Sequence, residues 1–134
     1  IDSLFKANDG TFVMVDWKRC NPVSKKTNGP LQPLGPNMEC YRNEKGLGPC
    51  SHLPNTKFYH YCIQQNLYKY IVDTYYDMRV DRMFLAQFHP RLPTYHFVEV
   101  PDMQDIVRQI MDARYDEVQT GVKRRKVDES ESFF

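Results

Sequence analysis

The chain has 134 residues, 41% hydrophobic and 26% charged, which is enough for one compact domain with its own core and too few for two. A formal net charge of +1 announces no nucleic-acid partner, so any phosphate-binding surface has to come from local clusters of Lys and Arg. No apolar run approaches the roughly 20 residues that span a bilayer, and the N-terminus has no basic stretch leading into an apolar one; the reading is a soluble, intracellular chain with no membrane partner.

Residues 1–5 and 11–19 are β-rich and flank Asn8-Asp9-Gly10, a turn signal, so a hairpin is expected to open the chain. In its second run Val13, Val15 and Trp17 alternate with Phe12, Met14, Asp16 and Lys18. Apolar residues thus fall on both faces, the pattern of a strand in a sheet covered on both sides, and Asp16 and Lys18 share one face. Residues 21–56 are punctuated by Asn21-Pro22, Gly29-Pro30, Gly35-Pro36 and Gly48-Pro49, which predicts a long irregular loop, a feature uncommon unless functional or disordered. Residues 57–77 contain no Pro or Gly, and Phe58, Cys62, Leu67, Ile71, Val72 and Tyr75 recur at helical spacing, predicting an amphipathic helix.

Residues 80–88, stopped by His89-Pro90, and residues 95–100 read as two strands of an antiparallel hairpin. A second helix is expected to open at Pro101-Asp102 with Asp102 as its cap, to bury Ile106, Val107, Ile110 and Met111, and to end near Val118. Residues 119–134 place Lys123-Arg124-Arg125-Lys126 before Asp128, Glu129 and Glu131, with too little apolar material to pack, and are expected to form a disordered basic and acidic tail. The basic run has the form of a nuclear localisation signal. Cys20, Cys40, Cys50 and Cys62 form no CxxC pair, so free thiols are expected rather than a zinc ribbon or a thioredoxin-type site. Cys40, Cys50 and His52 share one loop but lack metal-ligand spacing, and His60, His89 and His96 show no paired spacing either.

The chemistry concentrates in the opening hairpin. If its turn is a three-residue loop with Gly10 in the left-handed conformation, Ala7 faces Thr11 and Asp2 lies directly opposite Asp16. A two-residue Asp9-Gly10 turn would pair Asp2 with Trp17 instead. In the first register the two Cβ atoms stand about 4.5–5.5 Å apart on one face, within reach of a single divalent ion. Carboxylates this close repel unless a cation offsets them, which implies a hard, oxygen-ligated metal, Mg²⁺ or Mn²⁺. Lys18 shares the face and can position or deprotonate a water, or stabilise charge building on a phosphate. The set suits phosphodiester hydrolysis.

Asp2 on one strand and Asp16-Trp17-Lys18 on the next resemble the D…(D/E)xK signature of the PD-(D/E)xK, or restriction-endonuclease-like, nuclease superfamily, with Asp a permitted variant of the second acid. Gln64 and Tyr68, four apart and so on one helix face, resemble the QxxxY motif of its RecB-type branch. The resemblance implies an α/β fold: a restriction-endonuclease-like core, its central mixed β-sheet flanked by helices, forming a nuclease-like catalytic domain over residues 1–118. It implies that Asp2, Asp16 and the Trp17 backbone carbonyl bind the metal, that Lys18 is catalytic beside the two acids, and that Gln64 and Tyr68 flank the site. DNA is the expected substrate, with RNA as the alternative. The cysteine spacings do not resemble those of the cluster-bearing members, so no iron–sulfur cluster is expected. The family core opens with a helix and a strand upstream of the first acid; these are expected to be lacking here, making the rest of a larger polypeptide or complex a further expected partner.

Plainer readings stand beside these. Asp16 and Lys18 could be a solvated strand-end pair, although charges beside Phe12 and Met14 would be poorly hydrated, and Asp2 could be a surface carboxylate. Gln64 and Tyr68 could pack on the sheet with their polar tips satisfied. For the whole chain the rivals are a nucleic-acid-binding module that no longer cleaves and a protein-interaction scaffold. Lys18, Arg19, Lys25 and Lys26 are expected to provide a local electropositive approach for a phosphate backbone.

Overall fold

The chain first reverses at Asn8-Asp9-Gly10. Gly10 takes φ +86°, the Asp9 carboxylate accepts bonds from the Thr11 N–H at 2.9 Å and the Thr11 hydroxyl at 2.6 Å, and the Ala7 N–H donates to the Thr11 carbonyl at 2.8 Å. An Asp folded back on the backbone and a glycine in the left-handed region are what a three-residue loop requires. The flanking strands, β1 (Ser3–Lys6) and β2 (Phe12–Lys18), accordingly pair Ser3 with Val15 and Lys6 with Phe12.

The computed structural model describes residues 1–22 and 31–121. Beyond the hairpin it contains α1 (Lys57–Tyr75), β3 (Val80–Gln87), β4 (His96–Glu99) and α2 (Gln104–Gln119), with short 3-10 turns at Tyr41–Asn43 and Gly48–Cys50 in the preceding loop. The architecture is α/β, with a four-stranded mixed sheet in the order β1-β2-β3-β4. β1 is antiparallel to β2, β2 parallel to β3, and β3 antiparallel to β4. A parallel pair needs a long crossover; here the loop and α1 supply it. No helix among the described residues is long and apolar enough to cross a membrane. Of the expected tail at 119–134, Gln119 ends α2 and residues 122–134, with the basic run, lie outside the described residues, as do Lys25 and Lys26.

Thr56 starts α1 by accepting the Tyr59 N–H on its hydroxyl at 3.4 Å, the usual service of an N-cap side chain. The helix crosses the inner sheet face, where Phe58, Cys62 and Val72 join Met14, Met83 and Leu85 in the core. The expected stripe is only partly right. Ile71 and Tyr75 are exposed, whereas Ile63, Gln65 and Asn66 are buried. Asn66 explains the shift, because its side chain donates to the carbonyls of Cys62 (2.8 Å) and Pro101 (3.1 Å) and accepts the Met103 N–H (2.8 Å). A fully bonded amide is tolerated inside the core, and this one ties α1 to the start of α2. α2 packs against α1 and the Gly48–Cys50 turn, burying Ile106, Val107 and Ile110 of the expected stripe, while Met111 is half-buried. Its cap position is Met103, without a side-chain cap; Asp102 acts one residue earlier, accepting the Gln104 N–H at 2.9 Å.

The outer sheet face departs from expectation. Among the described residues no helix covers it, and Phe5, Trp17, Phe88 and Phe97 are exposed there. The apolar alternation of β2 arises because aromatic side chains cover their own sheet. Trp17 stacks on Phe88 with ring centroids 5.7 Å apart, and Phe84 on Phe97 at 4.7 Å; Val15 and Ala86 are buried among them.

Candidate active site

The register that pairs Ser3 with Val15, continued by one residue, sets Asp2 directly opposite Asp16, so the three-residue-loop alternative is the one realised. Asp2 lies just before β1, exposed, and its Oδ2 accepts the Trp17 N–H at 2.7 Å. That bond, more than any other influence, holds its carboxyl below the usual range, and the charges of the Ile1 amino group and Lys18 act in the same direction. Asp16 is only 5% exposed. The amino nitrogen of Ile1 is 3.8 Å from its Oδ1.

Lys18 links the hairpin to α1. Its Nζ lies 2.6 Å from Asp16 Oδ2, donates to Gln64 Oε1 at 3.2 Å, and stands over the Tyr61 ring, 4.4 Å from the centroid. The approach to Asp16 is a charge contact outside hydrogen-bond geometry, and it gives the buried carboxylate its counter-charge. Two facing carboxylates are a donor set suited to a hard divalent cation. Among the described residues no group of three or more His, Cys, Asp or Glu could hold a metal, so a cation here would depend on this pair, backbone oxygen and water.

Asp2, Asp16, Trp17, Lys18 and Gln64 therefore come together. Tyr68 does not join them: it packs half-buried against the core, and no hydrogen bond among the described residues ties it to Lys18 or either acid. Two further residues belong to the site's frame. Tyr61 lies one turn before Gln64, and the i, i+3 spacing is the signal that could have found it; burial chiefly raises its phenol's pKa. Gln87, opposite Lys18 on β3, donates to the Cys20 carbonyl at 2.9 Å and accepts the Leu34 N–H at 2.8 Å. It thereby fixes the described ends of the loop that leaves the site, and His96 holds the Leu34 carbonyl at 2.7 Å.

A cleft of about 520 Å³ shares no residue with this cluster and is lined by Phe58, Lys69, Asp81, Arg82, Glu99 and Asp102 among others. Arg82 and Glu99 form a bidentate salt bridge at its wall. A smaller cleft of about 380 Å³ opens beside β2, lined by Arg19, Phe88, His89, Leu92 and Tyr95 among others. No family model, curated protein or solved structure matches the chain.

Proposed function

We propose that the chain is a Mg²⁺- or Mn²⁺-dependent nuclease with a restriction-endonuclease-like core of the RecB-type branch, hydrolysing phosphodiester bonds in DNA. The observation that carries this reading is the Lys18 ammonium, held between Asp16 and Gln64: a residue of each motif meets at one atom although they are 46 positions apart. Asp2, Asp16 and the Trp17 carbonyl would hold the cation, which when bound supplies positive charge to the phosphate and a more acidic water. The Lys18 ammonium orients the attacking water and offsets charge on the phosphoryl oxygens as the water oxygen bonds to phosphorus and the P–O ester bond breaks, the water's proton passing through solvent to the leaving oxygen. Gln64 and the Tyr61 ring keep the ammonium at the reacting position, and Asp2 is kept ionised by the Trp17 N–H.

The test is cleavage of labelled single- and double-stranded DNA in Mg²⁺, Mn²⁺ or EDTA by this chain and by Lys18→Ala. Cutting is expected with metal only, and the variant should lose about 10²- to 10⁴-fold in rate, the range for a positioned catalytic group. DNA binding with no cutting in either metal would replace the nuclease with a binding module.

A further inference from the structure

Trp17, Phe88, Tyr95 and Phe97 form a continuous aromatic row on the outer sheet face, with successive ring centroids 5.7, 6.1 and 6.5 Å apart. Each is between 41% and 60% exposed, which is unusual for rings that could have been buried. The row starts at the strand end that carries the site, though on the opposite sheet face: Trp17 lies between Asp16 and Lys18 in β2, and the Phe88 N–H donates to the Lys18 carbonyl at 2.9 Å. At the same sheet end, the cleft of about 380 Å³ adds Arg19 and His89 to Phe88 and Tyr95 and has no acidic side chain in its lining. Partly exposed rings beside the Arg19 guanidinium suit a polyanion with exposed bases, because any base can stack on an aromatic ring while its phosphate meets a cation. The centroid spacing exceeds the roughly 3.4 Å rise of a stacked strand, so the row matches splayed bases better than a duplex.

We infer that this row, with Arg19, is a stacking platform for unpaired nucleic acid, and that the strand crosses the C-terminal ends of β2 and β3 to present a phosphate to the acids and Lys18. The inference rests on the nuclease reading for the phosphate's fate but not for the binding itself. Trp17 is the chain's only tryptophan and reports on its own platform. The experiment titrates the chain with a single-stranded oligothymidylate of about ten nucleotides, within the site sizes of stacking grooves, in EDTA at low salt. Trp17 emission and the anisotropy of a labelled oligonucleotide are followed together, and cleavage in Mn²⁺ is assayed separately.

Trp17 emission should be quenched on binding, and Phe88→Ala and Tyr95→Ala should each weaken binding about tenfold, as loss of one base–ring stack does. Tyr95→Phe should bind like the original chain, and the same sequence as a duplex should bind more weakly. Far-UV circular dichroism checks that the variants keep their fold. This pattern without cleavage would retain the platform and remove the nuclease. Equal cleavage of single and double strands, unaffected by either alanine variant, would retain the nuclease and overturn the platform. Unchanged Trp17 emission on adding oligonucleotide, with a spectrum that shifts instead with protein concentration, would also overturn it and make the face a contact between copies.

Discussion

Lys18 is held from three directions: by Asp16 for charge, by Gln64 for direction and by the Tyr61 ring for its open side. Of these, Gln64 is the contact that can be removed without leaving a buried charge unpaired, which makes it the informative one to change. On the proposed chemistry Gln64→Ala should lower kcat about tenfold, the rate equivalent of one hydrogen bond of about 1.4 kcal/mol. KM should move by no more than about twofold, since the group aids the reaction step rather than ground-state binding. Gln64→Glu, which keeps an acceptor, should recover most of the rate. Steady-state kinetics with urea unfolding of each variant separates this from a packing role, in which KM would rise, stability would fall and Glu would not rescue. The meeting of Asp2 with Asp16 was legible only as one of two registers, since Asp9-Gly10 also suits a two-residue turn; the Asp9 carboxylate bonded to Thr11 and the left-handed Gly10 realise the three-residue loop that brings the acids together. The Tyr61 contact was legible only in part: the i, i+3 spacing sets Tyr61 on the helix face of Gln64, but a ring face meeting an ammonium depends on how α1 crosses β2, which spacing along one helix does not carry.

At the level of elements, the two hairpins and the two helices could be read from local pattern, while the parallel pairing of β2 with β3 and part of the face that α1 buries could not. α1 buries Phe58, Cys62 and Val72 as its stripe predicts but also Gln65 and Asn66, and it exposes Ile71 and Tyr75, because Asn66 serves the start of α2 almost forty positions away. Gln104 reinforces the tie, its side chain donating to the Asn66 carbonyl at 2.9 Å. Asn66→Leu would remove one acceptor and one donor while roughly conserving volume. The Met103 N–H and the Pro101 carbonyl would lose their partner, a cost of about 1–3 kcal/mol for each group left buried and unpaired. The expected result is a chain destabilised by about 2–4 kcal/mol whose α2 amides lose hydrogen-exchange protection before those of β2 and β3. Uniform loss of protection would mean that Asn66 acts through general packing. The outer face misled for a related reason: alternating Val and Trp in β2 predict cover without saying what provides it, and here the neighbouring rings of Phe84, Phe88 and Phe97 do.

For the whole molecule, three of the four cysteines are buried in the shared core, and this sets the alkaline limit of stability. Burial raises the pKa of Cys62 from its ordinary 9.0 to about 12 and raises those of Cys20 and Cys50 as well. In the unfolded chain each thiol loses its proton near pH 9, whereas the folded chain retains it. The folded state then binds more protons, so stability is fully present below pH 9 and falls as pH rises toward the folded pKa. Cys62 alone would account for about 1.4 kcal/mol per pH unit over that window and at most about 4 kcal/mol across it, with Cys20 and Cys50 adding in the same direction. Urea midpoints measured from pH 7 to 10.5 should therefore be flat up to about pH 8.5 and then decline, and Cys62→Ala, though less stable at pH 7, should decline less steeply. Parallel alkaline limbs in the two proteins would show that Cys62 ionises alike in the folded and unfolded chain, and the origin of the limb would pass to Tyr61, whose phenol is shifted upward by the same burial.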